Sequence, residues 1–141
     1  MKIHTTNYRN TFIEVSEDTG AVSGTKPKSR SDKKTIADIQ YDLIQRNPYA
    51  YTSDDVLFQV FAERNDLTPG EYPQAREQFF SKGQACLRTS PLSKTYGFGI
   101  HCDNNEKIAL YGMETPEYKK FAADQKLKKV KAMRTKKQIG D

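Results

Sequence analysis

Apolar and polar positions fall in short blocks along this chain, and the period of each block predicts its element. Thr11-Phe12-Ile13-Glu14-Val15 is β-branched and alternating, the pattern of a strand. From Ser16 to Lys34 the chain is polar, with Gly20, Gly24 and Pro27 among Lys26, Lys28, Arg30, Lys33 and Lys34. That stretch reads as a solvated loop, the alternative being that its cations flank an anion site. Ile36, Ile39, Leu43 and Ile44 then share one helical face, with Asp32 as the expected cap and Pro48 as the stop. Ser53, Asp54 and Asp55 offer capping oxygens and first-turn negative charge to a second helix with a Val56, Leu57, Val60, Phe61 stripe. Capping accounts for that Asp pair better than a metal does. A third helix opens at Thr68-Pro69, where Glu71 completes a capping-box pattern, buries Tyr72, Ala75, Phe79 and Phe80, and stops at Gly83.

Beyond Gly83, Ala85-Cys86-Leu87-Arg88 reads as a short strand and Ser90-Pro91-Leu92 as a turn or a single helical turn. Residues 96–102 and 107–111 predict two strands joined by the polar loop Asp103-Asn104-Asn105-Glu106. Thr115-Pro116-Glu117 starts a last helix with Tyr118, Phe121 and Ala122 inward. This order implies an α+β fold: a small antiparallel sheet that includes the 96–111 hairpin, packed with about four helices. The βαβ alternation of a doubly wound fold is absent.

A chain of 141 residues has room for one core, so a single α+β domain over 1–123 is expected. Hydrophobic residues make up 35% of it, which leaves much of the packing to eight Tyr and seven Phe. Charge is uneven. Residues 124–141 carry Lys126, Lys128, Lys129, Lys131, Arg134, Lys136 and Lys137 against Asp124 and Asp141, which accounts for the entire formal charge of +5. Leu127, Val130 and Met133 give this segment only a thin apolar stripe, so it reads as a basic tail, partly helical or disordered. Such a tail is suited to nonspecific nucleic acid through Lys126–Lys137, although no aromatic residues interleave for base stacking. No segment has the length and apolarity of a membrane span or a secretory leader, and Cys86 and Cys102 are too few for a disulfide framework. A cytoplasmic location is expected.

The strings Met1-Lys2-Ile3-His4-Thr5-Thr6-Asn7, Asn10-Thr11-Phe12-Ile13, residues 51–58 and residues 80–88 together resemble a family of short, mainly bacterial proteins whose function is unknown. Ser90-Pro91-Leu92, Tyr96-Gly97, Gly99-Ile100-His101 and Ala109-Leu110-Tyr111 extend the resemblance over nearly the full chain. It implies a single domain and no particular reaction.

Candidate chemistry concentrates between Lys82 and Tyr111. Alternation puts Tyr96, Phe98, Ile100 and Cys102 on one strand face and Gly97, Gly99 and His101 on the other. His101 thus stands on a face with little side-chain bulk, which either a ligand or a closely packed helix would fill; packing is the better reading. Arg88 and Lys94 bracket the Ser90-Pro91 turn and, with Tyr96 and His101, form the expected binding set for a small anionic ligand. Surface ion pairing is their bland alternative. A small enzyme using Cys86 or His101 is a further alternative, yet no papain-like or caspase-like signature surrounds Cys86 and no nucleophile-elbow pattern surrounds Ser90. Neither GxxxxGK[ST] nor GxGxxG occurs, and no CxxC or HxxxH spacing is present, so no cofactor and no metal is implied.

Overall fold

The computed structural model describes residues 3–28 and 33–135. Its elements run β1 (Thr11–Glu14), α1 (Ile36–Arg46), α2 (Ser53–Arg64), α3 (Tyr72–Phe79), α4 (Pro91–Lys94), β2 (Phe98–Cys102), β3 (Ile108–Gly112), α5 (Pro116–Ala123) and β4 (Lys128–Lys131). The fold is α+β, as its sequence implies. The strands make one sheet of order β3-β2-β1-β4, in which β2 pairs antiparallel with both β3 and β1. The predicted hairpin is present, and Asp103 closes its loop by accepting the Asn105 and Lys107 N–H groups. Among the described residues no helix is long and apolar enough to cross a membrane.

The sheet is mixed rather than wholly antiparallel, because β4 lies parallel beside β1, with Thr11 opposite Lys128 and Ile13 opposite Val130. This corrects the expectation of a helical or disordered tail over those residues. Val130 packs on the core and Ala132, two positions on, is buried, which is the period of a strand. Lysines at 128, 129 and 131 are typical of an edge strand. The segment is also tied down. Arg88 donates from Nε to the Lys131 carbonyl at 2.7 Å, and its own carbonyl accepts the Met133 N–H at 2.8 Å. Glu17 pairs with Lys131 at 3.3 Å and Arg134 at 2.6 Å, and the Asp18 carboxylate accepts from both the N–H and the hydroxyl of Thr135. Lys136 and Lys137 lie outside the described residues.

The main core sits between one sheet face and α1, α2 and α4, and is built on Ile13, Ile44, Val56, Leu92, Ile100 and Ile108. Caps place the first two helices. Thr35, not Asp32, caps α1 by a reciprocal box with Asp38, and Asp32 lies outside the described residues. Thr52 and Asp55 make the same box at α2. The Thr68–Glu71 pattern does not cap in that way: the two side chains bond each other at 3.0 Å, and a 3-10 turn over Pro69–Glu71 leads into α3.

Helix α2 is buried on two sides: of the expected stripe Val56 and Val60 are buried and Leu57 packs on the main core, while Phe61 is exposed, and a second face is buried as well. Val56 enters the main core, while Phe58 and Ala62 join Phe80 in a second, smaller cluster under α3. Residues 85–88 do not form the expected strand either; Leu87–Thr89 is a 3-10 turn, closed by Thr89 donating from N and Oγ1 to the Cys86 carbonyl. Leu87 alone is driven into the core there, so no alternation exists to support a strand.

Candidate functional site

Helix α3 has no fully buried residue and is held against α2 by rings. Tyr72 and Phe79 meet the buried Phe58 edge-on at centroid separations of 5.6 and 6.0 Å, and Phe79 meets Phe61 at 4.8 Å. Because rings rather than short side chains set the spacing, a cleft of about 790 Å³ opens between α3, α2 and the end of α1. That volume is within the ~300–1,000 Å³ usual for small-molecule sites. Leu43, Val56 and Phe58 give it an apolar floor, and Tyr51 and Tyr72 give it aromatic walls.

The charged groups of the cleft are Asp55 and Arg76, whose side chains pair at 2.9 Å. Asp55 is positioned by the α2 cap: one carboxylate oxygen accepts the Thr52 N–H at 3.0 Å, and the other takes Arg76. The Arg76 guanidinium lies 5.8 Å from the Phe58 ring centre and 5.5 Å from that of Phe80, within cation–π range of both. Burial pushes the Asp55 carboxyl up, but the Thr52 N–H and Arg76 outweigh it and hold the group below its ordinary 3.8. Asp55 therefore stays ionised at neutral pH within the pair. The two side chains of the pair are 41% and 31% exposed, so each keeps an edge in the cleft.

The four residues singled out from sequence are not gathered in one place. Arg88 is committed to the β4 edge, as described, and lies near Tyr8 and Cys86, whose side chains are 3.4 Å apart. Lys94 ends the single turn of α4 and makes no side-chain hydrogen bond or ion pair among the described residues. Tyr96 lines a second cleft, of about 850 Å³, with Lys33, Lys34 and Arg64 beside the α1 N-terminus. His101 stands on the opposite sheet face from Ile100, and α5 covers it. Its Nδ1 is 2.8 Å from the Tyr49 hydroxyl, which is 2.9 Å from the Tyr111 hydroxyl, and the imidazole stacks on Phe121 at 4.2 Å. Helix packing thus fills the bare face. A Cβ on Gly99 would come within 2.5 Å of Phe12 and 2.6 Å of Tyr118.

Tyr49 reaches this network from a left-handed backbone, φ 60°, fixed by its N–H bonding the Ile108 carbonyl at 2.8 Å. Burial lowers the His101 pKa below its ordinary 6.5, against opposing pulls from Asp103 and Asp124. Among the described residues no hydrogen bond joins Cys86 to a histidine. Cys102 is buried, and burial pushes its thiol up to about 12. Ser90 is a buried cap that bonds Gln40 at 2.6 Å and receives the Leu92 N–H. No cluster of three or more His, Cys, Asp or Glu side chains among the described residues is arranged to hold a metal.

Two of the strings noted in the sequence also find each other. Thr6 donates to Asp54 from its N–H and hydroxyl, both at 2.7 Å, Thr5 donates to the other Asp54 oxygen, and Asn7 accepts the Asp54 N–H. Asp54 is therefore a buried clasp for the N-terminal segment rather than a free capping or ligand group. The family of unknown function DUF6157 matches residues 3–138, a span that includes this clasp, the cleft and β4. The chain belongs to that family. No curated protein and no solved structure matches it. Membership in DUF6157 thus supports the single continuous unit and carries no reaction or ligand with it.

Sequence reasoning did not find the cleft. Arg76 stands in a polar helix, and its relation to Asp55 and Phe58 arises from how α3 lies on α2. The available signal was Phe58 beside Asp55 on α2, facing away from the stripe assigned to the core.

Proposed function

We propose that this protein is a binding domain for a small organic molecule bearing a carboxylate, with the cleft between α2 and α3 as its site. The observation that carries the reading is Arg76: a guanidinium fixed by Asp55 and two aromatic rings at the edge of a concave, largely apolar space. A carboxylate on the ligand meets Arg76 through charge-assisted hydrogen bonds, and the ligand's body lies on Phe58 between Tyr51 and Tyr72. The Tyr96 cleft is the weaker candidate for an anion, because Lys34 is already paired with Asp42 at 3.1 Å and Glu63 and Asp66 stand in its wall. Support for nucleic-acid binding through the basic segment is reduced by the pairing of Lys131 and Arg134 with Glu17. A cytoplasmic setting agrees with Cys86 and Cys102 both being free thiols.

A thermal-shift screen of small carboxylates against the intact chain tests the reading. A ligand at about 100 times its Kd stabilises a single-site protein by about 2.7 kcal/mol. The expected result is a carboxylate that raises the Tm of the wild type and of Lys94→Ala but not of Arg76→Ala. A shift that persists in Arg76→Ala and disappears in Tyr96→Phe or Arg64→Ala moves the site to the other cleft and refutes the proposal.

A further inference from the structure

We propose that the ligand of the Arg76 cleft is a zwitterion, a free α-amino acid with an apolar or aromatic side chain. This rests on the reading of the cleft as the binding site and adds the chemistry of the head group. Asp55 and Arg76 supply one negative and one positive charge, 2.9 Å apart, and no other lining residue is charged. The cleft is therefore neutral overall but strongly dipolar.

That arrangement discriminates between anions. A phosphate monoester brings two negative charges to one guanidinium already shared with a carboxylate, and its second charge is repelled by Asp55. A simple monocarboxylate satisfies Arg76 yet sets a like charge beside Asp55. An α-amino acid places its carboxylate on the free donors of Arg76 and its ammonium on the free lone pairs of Asp55, so every charge has an opposite neighbour. Capacity is available for both contacts. A guanidinium has five N–H donors and a carboxylate about four acceptor positions, and the pair and the Thr52 N–H use only part of each. Both groups are held before a ligand arrives, Arg76 on Phe58 and Phe80 and Asp55 by the helix cap, which keeps the ordering cost of binding small. The remainder of the cleft, Leu43, Val56 and Phe58 with Tyr51 and Tyr72, suits an apolar or aromatic side chain.

The test is calorimetric titration of the intact protein with L-phenylalanine, 3-phenylpropionate, 2-phenylethylamine and phenyl phosphate, repeated on Asp55→Asn and Arg76→Ala. Each missing charged hydrogen bond should weaken binding about tenfold to a hundredfold. L-phenylalanine should therefore bind the wild type tightest, and Asp55→Asn should erase its advantage over 3-phenylpropionate. If 3-phenylpropionate or phenyl phosphate binds the wild type as well as L-phenylalanine does, and Arg76→Ala abolishes that binding, the zwitterion is refuted while the cleft stands. Binding of none of the four probes to the folded wild type overturns both. The comparison of ligands on the wild type holds even where Asp55→Asn weakens the helix cap.

Discussion

Replacing Gly99 by alanine tests whether α5, rather than a bound molecule, occupies the bare face of β2. The new methyl would stand 2.5 Å from Cζ of Phe12 and 2.6 Å from Cε2 of Tyr118. Carbon atoms rest about 3.5–4.0 Å apart, so the rings must retreat by roughly 1 Å. Neither is free to do so. Phe12 is fully buried and packs edge-on against Tyr118 at 5.0 Å, and the Tyr118 hydroxyl accepts the Val15 N–H at 3.0 Å. Overpacking of this kind costs about 1–3 kcal/mol, and a Tyr118 ring displaced far enough to lose Val15 adds about 1 kcal/mol. Loss of glycine's freedom in the unfolded chain offsets about 0.4–1 kcal/mol. A net destabilisation of about 1–3 kcal/mol follows, seen as a lower urea midpoint with an unchanged m-value. In a Tyr118→Ala background the penalty should shrink, giving a coupling of at least about 0.5 kcal/mol. A Gly99→Ala protein as stable as the wild type would show that α5 does not fill this face, and the space would revert to a ligand.

Two further outcomes follow from the same structure. Deleting residues 124–141 removes β4 and Ala132 and uncovers the edge of β1 beside the fully buried Phe12 and Ile13, with a loss of roughly 3–5 kcal/mol at about 1 kcal/mol net per hydrogen bond; a circular-dichroism melt unchanged by the deletion would make the segment a mere appendage. His101 has a folded pKa below 6.5, so the unfolded chain takes up its proton first as pH falls; stability from this residue is complete above about 6.5 and is lost as pH drops through the folded value. The urea midpoint should fall from pH 7.5 to pH 5 in the wild type, and this fall should be shallower in His101→Gln.

What the sequence made legible is what short-range chemistry decides. Thr115-Pro116 starts α5 because Thr115 caps it through the Tyr118 N–H, and the 96–111 hairpin follows from alternation around a polar loop. Its two-faced reading held as well, with Phe98, Ile100 and Cys102 in the core and Gly99 under a helix. β4 was hidden because its partner, β1, lies at the other end of the sequence and parallel pairing leaves no local turn signal. Arg88 looked like a ligand group because its carbonyl acceptor at Lys131 belongs to that unseen strand. The Asp55–Arg76 pair was missed for a related reason. Its geometry depends on the angle at which α3 crosses Phe58, and ring packing between helices has no signature within either helix.

The parallel pairing of β1 with β4 also sets an order of events for folding. β1 lies inside the sheet, yet both its neighbours, β2 and β4, come from the second half of the chain. Loops that long close at an entropic cost before any contact repays it, and topologies dominated by such contacts fold slowly. On the ribosome β1 emerges early and must wait, with its hydrogen-bonding edges unmet, until β2 and finally residues 128–131 have left the tunnel. Phe12 and Ile13 are exposed through that interval, which leaves the nascent chain prone to aggregation until β4 is available to pair.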